Sequence, residues 1–286
     1  MKTGIIDVGG GMRDIYGVGV LDRLMDLGIR IDCCIGVSAG AANLSSYLAG
    51  QRGRNYRFYM EYSHRSDYMG FHNLAMTGSY INLDYIYGEL SNTAGEYPLD
   101  YDAMKAEFEK GRQFIIVATD AETGKPVYFD GSKIERDNYG VIGASSCVPI
   151  VNRAYTVNGR EYFDGGLGDP IPIDKALEAG CDRVVILLTR PKDYYCETME
   201  DIPIVKLLEL NYPNCAKKMA IRGDVYNWNL DKAKDLEKEG KVLIVAPDSI
   251  GDMRMLKRRN EDMEVLYRKG YRDADAILKF LPDEKA

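Results

Sequence analysis

Apolar residues in this chain fall into short unbroken runs, each followed by a stretch of helical spacing. Thr3–Val8 (TGIIDV) predicts a buried strand that ends in Gly9-Gly10-Gly11, after which Ile15, Val18, Leu21, Leu24 and Met25 recur along one helix face. Ile31–Val37 (IDCCIGV) predicts a second strand, and Ala39–Leu48 (AGAANLSSYL) a helix of small residues directly behind it. Two strand–turn–helix units in succession predict an α/β fold with a mostly parallel sheet and helices on both faces.

The pattern changes at residues 52–101. Arginines stand at 52, 54 and 57, tyrosines at 56, 59, 62, 68, 80, 85, 87, 97 and 101, and strand signal is scarce, as expected of an irregular helical insertion. Strands return at Phe114–Thr119, Val127–Asp130 and Val184–Thr189. Beyond Pro191 the spacing is mostly helical. Ile204–Leu210 and Ala216–Leu236 are interrupted by turn residues, a strand is expected at Val242–Ala246, and a long amphipathic stretch runs from Met253 to Leu281 with Leu256, Met263, Leu266, Ile277 and Leu278 on its apolar face. The expected organisation is a main domain at residues 1–190, carrying the insertion, and a helical extension at 191–286 packed on it.

Composition narrows the chemistry. With 37 basic and 44 acidic residues the formal charge is −7, which opposes broad attraction to nucleic acid. No apolar run approaches the ~18 residues of a membrane span, and the N-terminus enters a strand at once, so a cytoplasmic location is expected. Six cysteines without a C-x-x-C pair read as reduced thiols, and two histidines supply a zinc site poorly. No metal or other cofactor is expected.

Gly36-Val37-Ser38-Ala39-Gly40 matches G-x-S-x-G at a strand-to-helix junction, where flanking glycines permit a sharp turn and the helix N-terminus favours negative charge beside Ser38. The opening turn, Gly9-Gly10-Gly11-Met12-Arg13, offers consecutive amides as an oxyanion hole, with Arg13 holding the loop or adding positive potential. A dinucleotide loop would need glycine at position 14, where Asp14 is unfavourable beside a pyrophosphate. His64 and His72 lie outside any motif in the insertion. The better base is Asp164 in Phe163-Asp164-Gly165-Gly166, a strand-end turn that can bring a carboxylate to Ser38 in a dry pocket.

In this order the three motifs resemble those of the patatin-like phospholipase family, from about Gly4 to about Arg190, with Val20-Leu21 and Ala144-Ser145-Ser146 with Pro149 adding to the likeness. The resemblance implies a three-layer α/β/α fold and a Ser38–Asp164 dyad without histidine. It also implies an oxyanion held by Gly9–Gly11, hydrolysis of lipid acyl esters, and no metal in many members. Asp14 stands where the family has a glycine. The region after residue 190 is similar to a helical extension in some bacterial members. Acyl transfer through the same serine, or lipid binding without catalysis, are the alternative activities. The basic run Arg254–Arg259, placed on an amphipathic helix, is a candidate contact with anionic headgroups at a membrane surface.

Overall fold

In the computed structural model, which describes residues 1–197 and 201–281, both opening units form where the spacing puts them. β1 (Thr3–Asp7) leads through the glycine turn into α1 (Ile15–Asp26), and β2 (Cys33–Val37) leads into α2 (Ala39–Leu48). The two strands pair in parallel, Ile5 opposite Cys34 and Ile6 opposite Ile35. Every residue of both strands is buried, which is why they read as continuous apolar runs without alternation.

The insertion contributes α3 (Arg54–Met60), α4 (Phe71–Thr77) and a π-helical turn at Tyr85–Leu90, followed by α5 (Tyr101–Glu109). β3 (Gln113–Asp120) then extends the sheet parallel to β2, and β4 (Pro126–Asp130) turns back antiparallel along it. After α6 (Gly140–Ser145), the hairpin of β5 (Tyr155–Val157) and β6 (Arg160–Asp164) returns to the same strand.

β3 is shared in a way that determines the site. β4 occupies one edge from Ile115 to Thr119, β2 pairs as far as Val117 opposite Val37, and β6 pairs from Ala118 opposite Asp164. A strand has two hydrogen-bonding edges, so β6 takes up the edge that β2 leaves. The register therefore sets Asp164 next along this edge after Val37, the residue that precedes Ser38.

The rest of the chain completes the layers. α7 (Gly165–Gly168) and α8 (Ile173–Glu178) lead to β7 (Arg183–Leu187), parallel to β1 on its other side. α9 (Ile202–Leu208) and α10 (Pro213–Lys238) precede β8 (Val242–Val245), which pairs in parallel with β7. α11 (Asn260–Asp273) and α12 (Asp275–Phe280) follow. Among the described residues the sheet has eight strands, β5-β6-β3-β2-β1-β7-β8 with β4 on β3. Ile5, Cys34 and Val185 pack towards α1, α2 and α11, whereas Ile6, Ile35 and Ile186 pack towards α8 and α10. Residues beyond 191 thus supply a strand and helices on both faces. All six cysteines are unpaired thiols.

One expectation fails. The stretch from Met253 to Leu281 is not one helix, because Arg254–Arg259 run through turns and helix begins only at Asn260. The Met255 carbonyl accepts from the Met12 amide at 2.8 Å, a long-range bond that takes it out of any helical ladder. Arg258 donates to the Ser63 carbonyl, and Lys257 and Arg259 pair with acids at the start of α11. No basic helix face results.

α11 crosses α1 at very short range. A Cβ on Gly19 would meet the Tyr267 carbonyl, and one on Gly270 would meet the Tyr16 carbonyl. Hydrogen bonds frame the crossing, from Tyr16 to Asp273 at 2.7 Å and from Tyr267 to Asp22 at 2.8 Å. Gly270→Val should therefore part the two helices and lower stability by about 1–3 kcal/mol or more in urea denaturation. Wild-type stability in that variant would contradict the crossing.

Candidate active site

Backbone geometry at the second turn is set before any side chain is considered. Ser38 adopts φ 57° and ψ −132°, a left-handed conformation costly for a residue with a Cβ. The turn is held on several sides. The Ser38 amide donates to Ser145 Oγ at 2.9 Å, Ser145 Oγ donates to the Val117 carbonyl at 2.6 Å, and the Ser38 carbonyl accepts from the Ala41 amide at 3.0 Å. Gly36 lies against Ala41 and Gly40 against the Asp7 backbone, too close for side chains. The Ser38 side chain stands at the head of α2, where the helix dipole favours negative charge.

The glycine loop packs directly on this turn. A Cβ on Gly9, whose φ is 69°, would collide with the Val37 carbonyl and come within 2.9 Å of Ser38 Cβ. Two of the loop's amides are committed, Gly9 N–H to Asp7 Oδ1 at 3.2 Å and Met12 N–H to the Met255 carbonyl at 2.8 Å. The Gly9 carbonyl accepts from Thr189 Oγ1 at 2.6 Å. Among the described residues the amides of Gly10 and Gly11 have no protein acceptor, so the available donors are fewer than the five-residue turn suggests.

Asp14 lies beneath this loop, fully buried with Asp7 and Asn43. Asn43 Nδ2 donates to Asp14 Oδ2 at 2.8 Å and approaches Asp7 Oδ2 at 3.4 Å. Burial and the neighbouring Asp7 charge hold the Asp14 carboxyl well above the usual range, and burial pushes Asp7 up to about 6. Asp14 Oδ1 has no hydrogen-bond donor facing it. The acid at position 14 is thus a prop under the loop and does not line the cavity.

Asp164 closes β6. Its amide donates to the Cys147 carbonyl at 2.8 Å, and its own carbonyl accepts from Thr119 Oγ1 at 2.8 Å. Oδ1 accepts from the Gly166 amide at 2.8 Å, and Gly165 fits tightly against Val117. Oδ2 is buried without a well-aligned partner, although the Ser38 hydroxyl is close enough to favour the ionised form. Burial outweighs the Ser38 hydroxyl, the Gly166 amide and the Arg222 charge, and raises the carboxyl to about 6.

Two cavities meet at Ser38. One, of about 1200 Å³ to its mouth, is lined by Gly9, Gly10, Arg13, Asp164, Gly166 and Arg190. Burial and the Arg190 charge pull Arg13 down to about 10, and its Nε is without a partner. The other, of about 880 Å³ counted out to open solvent, is mostly apolar and runs between Gly11, Met12 and the walls of the insertion. His64 and His72 line neither cavity, and both are exposed, His64 beside Asn260. Among the described residues no three His, Cys, Asp or Glu side chains gather as metal ligands, and no helix is long and apolar enough to cross a membrane.

The sequence motifs did not indicate Ser145, Thr189 or Met255 as supports of the two turns. Ser145 falls within the Ala144-Ser145-Ser146 run, but its link from Val117 to Ser38 follows only from the fold.

A family model described as patatin-like phospholipase matches residues 8–177, and a second, a domain of unknown function (DUF6363), matches residues 212–283. The uncharacterized protein YjjU of Escherichia coli K12 is 31% identical over 196 residues, 68% of this chain and 54% of that protein. The chain thus spans about half the length of that relative. Among solved structures, VipD from Legionella pneumophila aligns with 97% of this chain and 67% of its own at 14% identity, with a TM-score of 0.49. The patatin model covers more than half of the sequence and includes both junction motifs, and on that ground the chain belongs to the patatin-like phospholipase family.

Proposed function

We propose that the protein is a serine acyl-ester hydrolase acting on lipid-like esters, with Ser38 as nucleophile and Asp164 as its base. The observation that carries this reading is that Ser38, the buried Asp164 and Gly10 line one cavity, with Gly11 in the wall of the second cavity that opens at Ser38. Family membership supports lipid acyl hydrolysis in general.

In the proposed reaction, Asp164 accepts the Ser38 proton as Oγ adds to the ester carbonyl. The oxyanion is held by Gly10 and Gly11, since Gly9 and Met12 already spend their amides inside the protein. Asp164 returns the proton to the departing alcohol, leaving the acyl group on Ser38. Water then loses a proton to Asp164 as it attacks the acyl carbonyl, and Asp164 passes that proton to Ser38 Oγ as the acyl–Oγ bond breaks and the acid leaves. A pKa near 6 suits the aspartate to this work, because it is ionised at neutral pH yet more basic than an exposed carboxylate.

The same burial has a thermodynamic cost. The native state keeps the Asp164 proton to about pH 6, whereas the unfolded chain releases it near 3.8, so this group lowers stability as pH rises between those values.

Three outcomes are expected. Ser38→Ala should lower p-nitrophenyl butyrate hydrolysis by at least about a thousandfold, and retained activity would remove Ser38 from the role. For wild type, kcat/KM on this soluble ester should rise through a midpoint near pH 6 and level off above it, as an ionised base requires. A rate that falls across this range would contradict the assignment. Asp164→Asn should lose hydrolysis yet gain up to about 3 kcal/mol of stability at pH 8 and little at pH 4, measured by urea denaturation. A loss of stability at pH 8 would contradict the ionisation described.

A further inference from the structure

The apolar cavity that opens at Ser38 carries one feature that ester hydrolysis does not use. Arg54, the first residue of α3, is in its wall and only 4% exposed. Its Nη1 donates to Ser46 Oγ at 3.0 Å, and its Nη2 to Ser91 Oγ at 2.9 Å and the Tyr97 carbonyl at 3.0 Å. The guanidinium carbon is 4.5 Å from the centre of the Phe58 ring. All these partners are neutral, and Nε has none.

Two other partly buried arginines are neutralised by acids. Arg112 holds Glu107, and Arg222 holds Asp201 through two hydrogen bonds. Around Arg54 the groups that favour its charge are tyrosines, and burial pulls it down only to about 10, so it remains a cation at neutral pH. A buried charge without a counter-ion is unfavourable, and three hydrogen bonds to neutral oxygens could be made by a neutral donor.

Position gives the cation a purpose. Ser46 lies eight residues beyond Ser38 on α2, which at 1.5 Å per residue is about 12 Å along the helix axis. The cavity between is lined by Ala42, Phe58, Ile86 and Ile142. We propose that Arg54 receives an anionic group, carboxylate or phosphate, at the far end of the substrate chain, selecting amphiphilic esters whose apolar segment lies between the scissile carbonyl and an anionic terminus. This assignment rests on Ser38 being the nucleophile.

Binding to the Ser38→Ala protein tests the recognition without turnover. In calorimetry, octyl phosphate should bind about tenfold or more tighter than octanol, and tighter than inorganic phosphate. Arg54→Met should erase the advantage over octanol, and Arg54→Lys, which keeps the charge, should retain part of it. Equal binding of octyl phosphate and octanol would overturn the proposal, as would an advantage that survives Arg54→Met. Inorganic phosphate binding as tightly as octyl phosphate would overturn the chain-borne assignment in favour of a free anion. In Ser38-intact protein, the ratio of kcat/KM for the mono-p-nitrophenyl ester of suberic acid to that for p-nitrophenyl octanoate should fall about tenfold or more with Arg54→Met. An unchanged ratio would count against it. Binding as expected without hydrolysis of either ester would locate the failure in the role of Ser38 and not in that of Arg54.

Discussion

One edge of β3 changes partners between Val117 and Ala118, from β2 to β6, and the geometry of the site depends on that change. The strand that ends at Val37 and the strand that ends at Asp164 approach the same point from opposite directions. One turns into α2 through Ser38, and the other into the short turn of Gly165 and Gly166. Backbone ladders position the two side chains more firmly than any contact between the side chains themselves. The glycine loop completes the arrangement because Gly9 can lie against Val37 and Ser38 at a distance no other residue allows.

Placing acids in this setting raises their pKa values. Asp164 is pushed to about 6, and beneath the loop burial and the Asp7 charge hold Asp14 well above the usual range. The two cases differ in what the carboxyl faces. Asp14 and Asp7 share their environment with Asn43 and a backbone amide, and together they hold the loop's shape. Asp164 has one oxygen tied to Gly166 and the other left without an aligned partner at the edge of a cavity. An orphaned oxygen at a cavity edge is a poor way to gain stability, and in the proposed reaction it is what keeps a base available.

Much of this was legible in the sequence because the signals were local. Unbroken apolar runs closed by glycine gave both strand–turn–helix units, and the three motifs in order indicated the family that the comparison identifies. What escaped was non-local. The Met253–Leu281 spacing is genuinely helical in part, but periodicity does not register that the Met255 carbonyl is spent on Met12. Asp14 broke a glycine pattern, and only the fold shows that it turns inward to Asp7 and Asn43. Arg54 looked like one of several arginines in an irregular insertion, since its surroundings come from α2, α3 and the segment near Tyr97.

Transfer of an acyl group to Ser38 is tested most directly by quenching the protein with acid during turnover of a p-nitrophenyl ester and mapping the adduct by peptide mass spectrometry. The proposed chemistry places the acyl mass on the peptide containing Ser38, and its accumulation becomes far slower in Asp164→Asn. An adduct on another residue, or Asp164→Asn acylating at the wild-type rate, would contradict it.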